Sequence, residues 1–326
     1  MKNLKLFILG FVILLSILSC KKNADTKRTA SIPELISIQS TNLPTGNSCD
    51  KWDLQSSLTS APFTYSTLRS ADNITSSPLL LGQTTMTNQT SAWDSINKQY
   101  AVSIGTSILF YNFSSSSVPA PINISISGPN IVEAIDASGG YFFVLTKNKD
   151  IDVYSSGSFT ILTSLPVATS SYVSNMSHGN SNNLFFITEG KIFKLIVSST
   201  SASIATSPVI IGSGTSKYNG VEFNSVDNMI YAIKRTGTTD EFVRINPTTG
   251  AEIILLTSLP YTKDYSRIST ALDYTTNTYF IYSSNGHSSN SHSVTTIGTI
   301  TTAPSIITIS STLIGNRYEF GLQLKD

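Results

Sequence analysis

Short apolar runs recur along this chain with a spacing of forty to fifty residues. A polar anchor residue follows the first run of each unit, and these anchors are Asp94, Asp136, His178, Asn224 and Asp273. They are 42, 42, 46 and 49 residues apart. Further short runs follow each anchor, separated by Gly, Pro, Asn and Ser, and no stretch keeps a helical period for a dozen residues. A period of this length made only of short strands is what four-stranded propeller blades require.

The fourth unit resembles known repeats. Residues 219–233 read NGVEFNSVDNMIYAI and residues 242–250 read FVRINPTTG. The Asn-Pro-Thr-Thr-Gly stretch fits a hairpin connection, because Pro fixes φ at the first corner and Gly accepts a positive φ at the end. The unit is similar to repeats of bacterial propeller-like domains of uncharacterised function and, more loosely, to YVTN-type and NHL-type propellers. The resemblance implies architecture and not activity, because propellers host unrelated functions.

The number of units sets the expected blade count. Five full units lie between about residues 91 and 310, which leaves residues 52–86 and a C-terminal run, residues 317–324. We expect these two remaining segments to share a sheet, which would satisfy the strand edges that an open ring exposes. The sequence therefore predicts an all-β, six-bladed β-propeller over residues 49–326. A seven-bladed propeller that includes residues 32–58, an open solenoid and a pair of β-sandwiches are the alternatives.

The first twenty residues have the pattern of an export signal. Lys2 and Lys5 precede an apolar run of thirteen residues, which at 1.5 Å per residue spans only about 20 Å of a hydrocarbon core of about 30 Å. Cys20 follows Ser19 where the run stops, and residues 17–20 resemble the lipobox of bacterial lipoproteins in the looser form of the Bacteroidota. The resemblance implies removal of a signal peptide, residues 1–19, and attachment of diacylglycerol to Cys20. An ordinary cleaved signal peptide is the alternative.

The residues after Cys20 indicate where the protein is placed. Lys21 stands where an Asp would favour retention at the inner membrane, so the family pattern implies an outer-membrane lipoprotein, facing either the periplasm or the cell surface. The polar residues 20–48 are predicted to be an acylated tether, and the propeller is expected to be monomeric. The lipid anchor is thus the predicted membrane contact.

Composition excludes several classes of partner. Charged residues make up 13% of the chain, and loss of Lys2 and Lys5 changes the net charge from +1 to −1. A near-neutral chain without basic clusters lacks the charge of a nucleic-acid-binding protein or of a polybasic membrane surface. With Cys20 acylated, only Cys49 remains, so no intramolecular disulfide is expected.

No catalytic, metal or cofactor site is predicted. The anchors are interpreted as turn residues, because Asp and Asn side chains bond their own backbone in tight turns, although calcium binding is the alternative. His287 and His292 lack a third ligand, and His178 is remote from both. Acid pairs occur at Asp150 with Asp152, Asp240 with Glu241, and Glu222 with Asp227. Convergence of such acids from different blades would be needed for glycoside hydrolysis.

The candidate ligand site lies in the connections between the fourth strand of one blade and the first strand of the next. These connections combine Tyr with Lys or Arg, which suits stacking on and hydrogen bonding to sugars or a protein partner. The candidate residues are Tyr172, Lys217, Tyr218, Tyr261, Lys263, Asp264, Tyr265 and Arg267. The alternative is loop polarity with Tyr packed beneath the rim.

The leading functional hypothesis is a non-enzymatic binding module at the cell envelope, for a glycan or a protein partner. A glycan-active hydrolase with acids in the central channel is the second hypothesis. A structural subunit of an outer-membrane assembly is the third.

Overall fold

The structure is a computed structural model. It describes the backbone at residues 34–40, 61–69, 73–83, 91–104, 107–112, 122–125, 132–155, 157–169, 171, 173–205, 207–214, 216–237, 239–259, 269–274, 276–284, 292–309 and 318–325. Side chains are described only between residues 91 and 306. All of these residues belong to one compact unit, Glu34–Asp326. The predicted signal peptide and Cys20 lie outside the described residues.

The first three strands, β1 (Glu34–Ser40), β2 (Ala61–Arg69) and β3 (Asn73–Gln83), precede the repeated units. β1 lies within the segment predicted to be a tether. No described residue belongs to a helix long and apolar enough to cross a membrane.

Five sheets then follow one another along the chain, and the strands of each are consecutive and antiparallel. We call a sheet of this kind a blade. Blade 1 contains β4 (Ser91–Asp94), β5 (Gln99–Ile104), β6 (Ser107–Asn112) and β7 (Ile122–Ser125). Blade 2 contains β8 (Val132–Ser138), β9 (Tyr141–Thr146), β10 (Asp150–Ser155) and β11 (Ser158–Ser164).

The other three blades repeat this order. Blade 3 contains β12 (Ser177–His178), β13 (Asn183–Thr188), β14 (Lys191–Val197) and β15 (Ala202–Ile204), and β16 (Val209–Ile210) also pairs with β14. Blade 4 contains β17 (Lys217–Asn224), β18 (Met229–Thr236), β19 (Thr239–Ile245) and β20 (Glu252–Leu256). Blade 5 contains β21 (Ser269–Asp273), β22 (Thr278–Ser284), β23 (His292–Gly298) and β24 (Ser305–Ile309).

The two ends of the unit form a further sheet, which we call the closing sheet. Its order is β25-β1-β2-β3, where β25 is Tyr318–Lys325. Unlike the strands of a blade, its first and second strands, β25 and β1, are not consecutive along the chain. The propeller therefore has five blades, and the predictions of six blades and of seven are wrong. The sequence prediction counted the closing sheet as a blade because its segments contain short apolar runs like those of the repeated units. Only five anchors recur along the chain, however.

The first strands of the blades lie side by side around one axis. β4 contacts β8, β8 contacts β12, β12 contacts β17, and β17 contacts β21, while β25 contacts both β21 and β4. The ends of these strands therefore converge, which is how distant parts of the sequence reach one site.

The core lies between neighbouring blades, because a sheet covered on both faces buries every residue of its middle strands. In β9, Phe142 to Thr146 are all buried, whereas the outer strand β11 is largely exposed. Aromatic rings join blades 1 and 2, where Phe110 stacks on Tyr154 at 4.3 Å between centroids, and blades 3 and 4, where Phe185 stacks on Phe223 at 5.0 Å. A single blade cannot shield its own apolar faces, so packing on a neighbour is what stabilises it.

The turn between the first and second strands follows a common rule. In every blade the residue immediately before the second strand has a positive φ, between 52° and 83°. These residues are Lys98, Gly140, Asn182, Asn228 and Asn277. Asn and Gly tolerate this left-handed conformation, which explains why the repeated turns are rich in them.

Candidate functional site

A cavity of about 320 Å³ opens where the first strands of all five blades end, on the side of the first-to-second-strand turns. We call it the axial cavity. It is lined by Trp93, Asp94, Ser95, Ile96, Ala137, Ser138, Gly139, His178, Gly179, Ser181, Asn182, Glu222, Ala271, Leu272 and Tyr274. Ligand sites of small molecules are clefts of this size that combine apolar walls with a few placed polar groups.

Three of the five anchors serve the turns, as the sequence predicts. Asp94 Oδ1 accepts the Ile96 amide at 3.0 Å, Asn224 Oδ1 accepts the Val226 amide at 2.9 Å, and Asp273 Oδ1 accepts the Thr276 amide at 3.2 Å. These side chains thus fix the chain where it reverses direction at the edge of the cavity.

The other two anchors face each other across a blade boundary. Nδ1 of His178 in blade 3 lies 3.3 Å from Oδ2 and 3.4 Å from Oδ1 of Asp136 in blade 2. Asp136 is buried, whereas 59% of the His178 side chain is exposed. A carboxylate at Nδ1 orients an imidazole ring, so Asp136 holds His178 against the cavity wall.

Glu222 comes from blade 4 and is the acidic side chain of that blade in the cavity lining. The Thr270 hydroxyl of blade 5 donates a hydrogen bond to Glu222 Oε1 at 2.8 Å. The pKa of Glu222 is raised to about 8, because burial and the nearby Asp136 charge raise it by more than the hydrogen bond from Thr270 and the nearby His178 lower it. The carboxyl is therefore largely neutral at pH 7.

A bulge in β17 places Glu222 at the axis. The register between β17 and β18 shifts between Asn219 and Glu222, and Gly220 within the bulge has a φ of +60°. The Tyr279 hydroxyl of blade 5 donates to the Gly220 carbonyl. Bulges redirect side chains and are common beside functional sites. Burial raises the pKa of Tyr279 well above its usual value, and the Glu222 charge adds to that rise, so Tyr279 stays a proton donor.

Aromatic and aliphatic side chains complete the cavity. Trp93 is buried at its wall, while 44% of Tyr274 and 67% of Ile96 are exposed. An exposed tyrosine ring next to hydrogen-bonding groups can stack on the apolar face of a ligand and bond its polar edge. The cavity therefore combines one aromatic platform, one neutral carboxyl and one oriented imidazole.

The two residues of the predicted site that the structure describes, Lys217 and Tyr218, lie at the other end of a first strand. Lys217 and Tyr218 begin β17, whereas Glu222 lies toward its end. They line a second cavity of about 340 Å³ with Ser171, Ile187, Glu189, Gly214 and Ser216. Tyr218 is itself buried, and its hydroxyl donates to Glu252 Oε2 at 2.6 Å. Six candidates lie outside the described residues: Tyr172, Tyr261, Lys263, Asp264, Tyr265 and Arg267.

Of the acid pairs seen in the sequence, Glu222 is the member that lines the axial cavity. Asp227 accepts hydrogen bonds from the Met229 amide at 3.1 Å and the Tyr231 hydroxyl at 2.6 Å. It therefore stabilises the turn before β18, and these hydrogen bonds do not involve Glu222. Asp240 pairs with Arg235. Asp152 is buried in β10, and burial together with Asp150 raises its pKa to about 6.

Metal binding finds no support in the side chains that the structure describes. No group of three or more His, Cys, Asp or Glu among them could hold an ion. Of the histidines weighed in the sequence, the side chains of His287 and His292 lie outside that part.

The signal for the axial cavity was present in the sequence as the recurring anchors, but the anchors do not all have the same role. His178 departs from the Asp and Asn of the other units, and it is the anchor that faces a carboxylate of the neighbouring blade. Glu222 precedes its anchor by two residues, and nothing in its local sequence shows that it meets Thr270, which is 48 residues away.

Comparison with known proteins supports the fold. No protein-family model matches the chain, and no curated protein matches it. A protein of unknown function from Bacteroides caccae is 8% identical, with a TM-score of 0.54 over 90% of this chain and 100% of that one. A catalytically inactive virginiamycin B lyase from Staphylococcus aureus, solved with quinupristin, is 13% identical, with a TM-score of 0.52 over 86% and 90% of the two chains. These neighbours are β-propellers, and at such identities the likeness shows the fold alone.

Proposed function

We propose that this chain is an envelope-anchored lipoprotein whose propeller is a non-enzymatic binding module, and that its ligand is a glycan bound in the axial cavity. One observation carries the proposal: all five blades contribute to a single cavity that holds Tyr274, Glu222 and His178 together. A volume of about 320 Å³ suits a sugar unit better than a protein surface, since protein interfaces are broad and shallow.

A glycan array with the full-length protein in detergent tests the ligand. Tyr274→Ala removes the exposed ring, and we expect it to weaken glycan binding about tenfold, since one aromatic contact contributes on the order of 1 kcal/mol. Ile253→Ala, which removes another exposed side chain from the outer strand β20, is the control and should bind as the wild type does. Equal binding by wild type and Tyr274→Ala would overturn the axial site.

The anchor has its own test. Replacing Cys20 with Ser removes the thiol that the lipid requires, so the protein should leave the membrane fraction and appear in the soluble envelope fraction. Retention of the Cys20→Ser variant in washed membranes would contradict the lipoprotein assignment.

A glycan hydrolase is the second candidate, and Glu222 favours it. A carboxyl that is neutral at pH 7 can serve as a general acid, and Asp136 is close enough for its charge to raise the Glu222 pKa. Mass spectrometry of the array ligands after incubation separates the two candidates. A binding module returns them intact, whereas a hydrolase shortens them in a manner that depends on Glu222.

A further inference from the structure

We propose that Glu222 selects the ligand of the axial cavity by donating a hydrogen bond to a ligand hydroxyl, so that the site takes uncharged sugars and rejects acidic ones. This inference rests on the proposed function and names the ligand class of the same cavity.

The hydrogen bonding of Glu222 leaves one oxygen for a ligand. Oε1 accepts the Thr270 hydroxyl at 2.8 Å, and within the part of the chain whose side chains are described Oε2 has no hydrogen bond. Because Glu222 lines the cavity, Oε2 is the atom that can carry the carboxyl proton toward a ligand. A carboxylic acid that stays neutral in this way is a strong and directional donor.

The surroundings keep the carboxyl in that state. Burial opposes ionisation, and the charge of Asp136 opposes it as well, while the Thr270 hydroxyl and the His178 ring act in the other direction. Tyr279 packs behind the bulge with its hydroxyl on the Gly220 carbonyl, and its pKa lies well above the usual value. The pKa of about 8 for Glu222 is consistent with a donor at neutral pH.

The other charged groups at the cavity explain the rejection of acidic ligands. Asp94 lies in the lining, and Asp273 ends β21 beside the lining residues Leu272 and Tyr274. Asp136 stands behind His178. A uronic acid in the cavity would lie near these acidic groups and would lose its hydration, both of which are unfavourable.

The pattern of donors suits a sugar ring. Glu222 offers a proton on one side, and the His178 imidazole, held by Asp136, forms the neighbouring polar wall. Adjacent ring hydroxyls both donate and accept, so they can bond both walls while the ring face lies on Tyr274.

Saturation-transfer NMR with the full-length protein in detergent tests the inference. The probes are the methyl glycosides of glucose, galactose and mannose. Glucuronic acid is included as the charged analogue of glucose. We expect at least one methyl glycoside to bind wild-type protein at about pH 6 and to lose about tenfold in affinity by about pH 10, as the donor is ionised. Glucuronic acid should bind about tenfold more weakly than methyl glucoside wherever the latter binds.

Two substitutions separate the donor from the rest of the residue. Glu222→Gln keeps a donor that does not ionise, so it should bind at about pH 6 and keep its affinity at about pH 10. Glu222→Ala should lose about tenfold at both values. Glu241→Gln removes a carboxylate on β19 away from the cavity lining, and it should follow the wild type.

The outcomes distinguish this inference from the proposed function. The donor role is overturned if Glu222→Gln binds as weakly as Glu222→Ala, or if the affinity of the wild type does not change with pH. Binding that still depends on Tyr274 would then leave the glycan module in place. Equal binding of glucuronic acid and methyl glucoside overturns the ligand class. Absence of any glycan ligand for wild-type protein overturns both.

Discussion

Glu222 is placed where burial, a bulge and a neighbouring hydroxyl act on one carboxyl. Solvent loss penalises the charged form, and a single hydrogen bond from Thr270 compensates only part of that penalty. His178 differs from Glu222 in its exposure: more than half of its side chain is exposed, although its ring contacts the buried Asp136. The cavity therefore presents two polar groups whose properties come from blades other than their own.

The raised pKa of Glu222 has a consequence for stability. The folded-state pKa is about 8 and the ordinary value is 4.5, so the folded protein binds more protons between these values, and wild-type stability falls as pH rises through that window. Glu222→Gln removes this dependence. Its free energy of unfolding should exceed that of wild type by an amount that grows above pH 4.5 and levels off above about 8. We expect a plateau on the order of 2 kcal/mol, allowing for the partial exposure of the side chain.

Urea unfolding at several pH values measures this difference. Glu241→Gln reports the effect of removing one carboxylate outside the cavity. A Glu222→Gln variant that is equally or less stable than wild type at about pH 9 would show that Glu222 does not resist ionisation.

At the scale of the strand, β17 shows how a local irregularity builds the site. The bulge at Gly220 breaks the alternation of the strand, and the Tyr279 hydroxyl of the next blade binds the carbonyl that the bulge exposes. The φ of +60° at Gly220 is one that only glycine adopts without strain in such a packed position.

Gly220→Ala tests whether the bulge is fixed by this packing. The added Cβ would meet the Tyr279 hydroxyl and would lie 2.7 Å from Thr270 Cγ2, so we expect a loss of about 3 kcal/mol in stability. Gly237→Ala is the matched control, because Gly237 has a φ of +62° and no heavy atom within 4 Å of an added Cβ. Its cost should be about 1 kcal/mol. Equal losses for the two variants in urea unfolding would mean that the contact with blade 5 is unimportant.

The strands were readable from the sequence, and the bulge was not. The spacing of the anchors located the first strand of all five blades, because polar turn residues follow apolar runs whatever the tertiary partners are. The role of each anchor depends on its neighbour: Asp94 bonds its own turn, whereas Asp136 meets His178 from another blade. A single sequence holds no signal for such contacts, so the pairing of Glu222 with Thr270 could not be foreseen.

At the scale of the whole molecule, the two ends of the compact unit meet in the closing sheet. β25 pairs antiparallel with β1, with Phe320 opposite Ile38, and β3, which contains Leu79 to Leu81, is in the same sheet. β25 also contacts β21 of blade 5 and β4 of blade 1. The sequence predicted this meeting of the ends, but the blade count derived from it was wrong. The remaining runs form a sheet whose first two strands, β25 and β1, are not consecutive along the chain.

Removal of residues 318–326 tests what the closing sheet contributes. The deletion leaves the backbone of β1 unpaired on one side and removes the strand between β21 and β4. We expect aggregation or rapid proteolysis and a loss of stability on the order of several kcal/mol. Deletion of residues 325–326 alone, which removes the single pairing of Lys325 with Glu34, is the control. A protein that melts without residues 318–326 as it does with them would contradict a structural role for β25.

The protonation state of Glu222 is the most direct test of an axial cavity with a neutral carboxyl donor. A carbon NMR titration of the glutamate side-chain carboxyls in the full-length protein, with Glu222→Gln to assign the resonance, measures it. We predict a midpoint near pH 8 for Glu222, well above the ordinary 4.5. A midpoint at the ordinary value would mean that the carboxyl is ionised at neutral pH and would contradict the account.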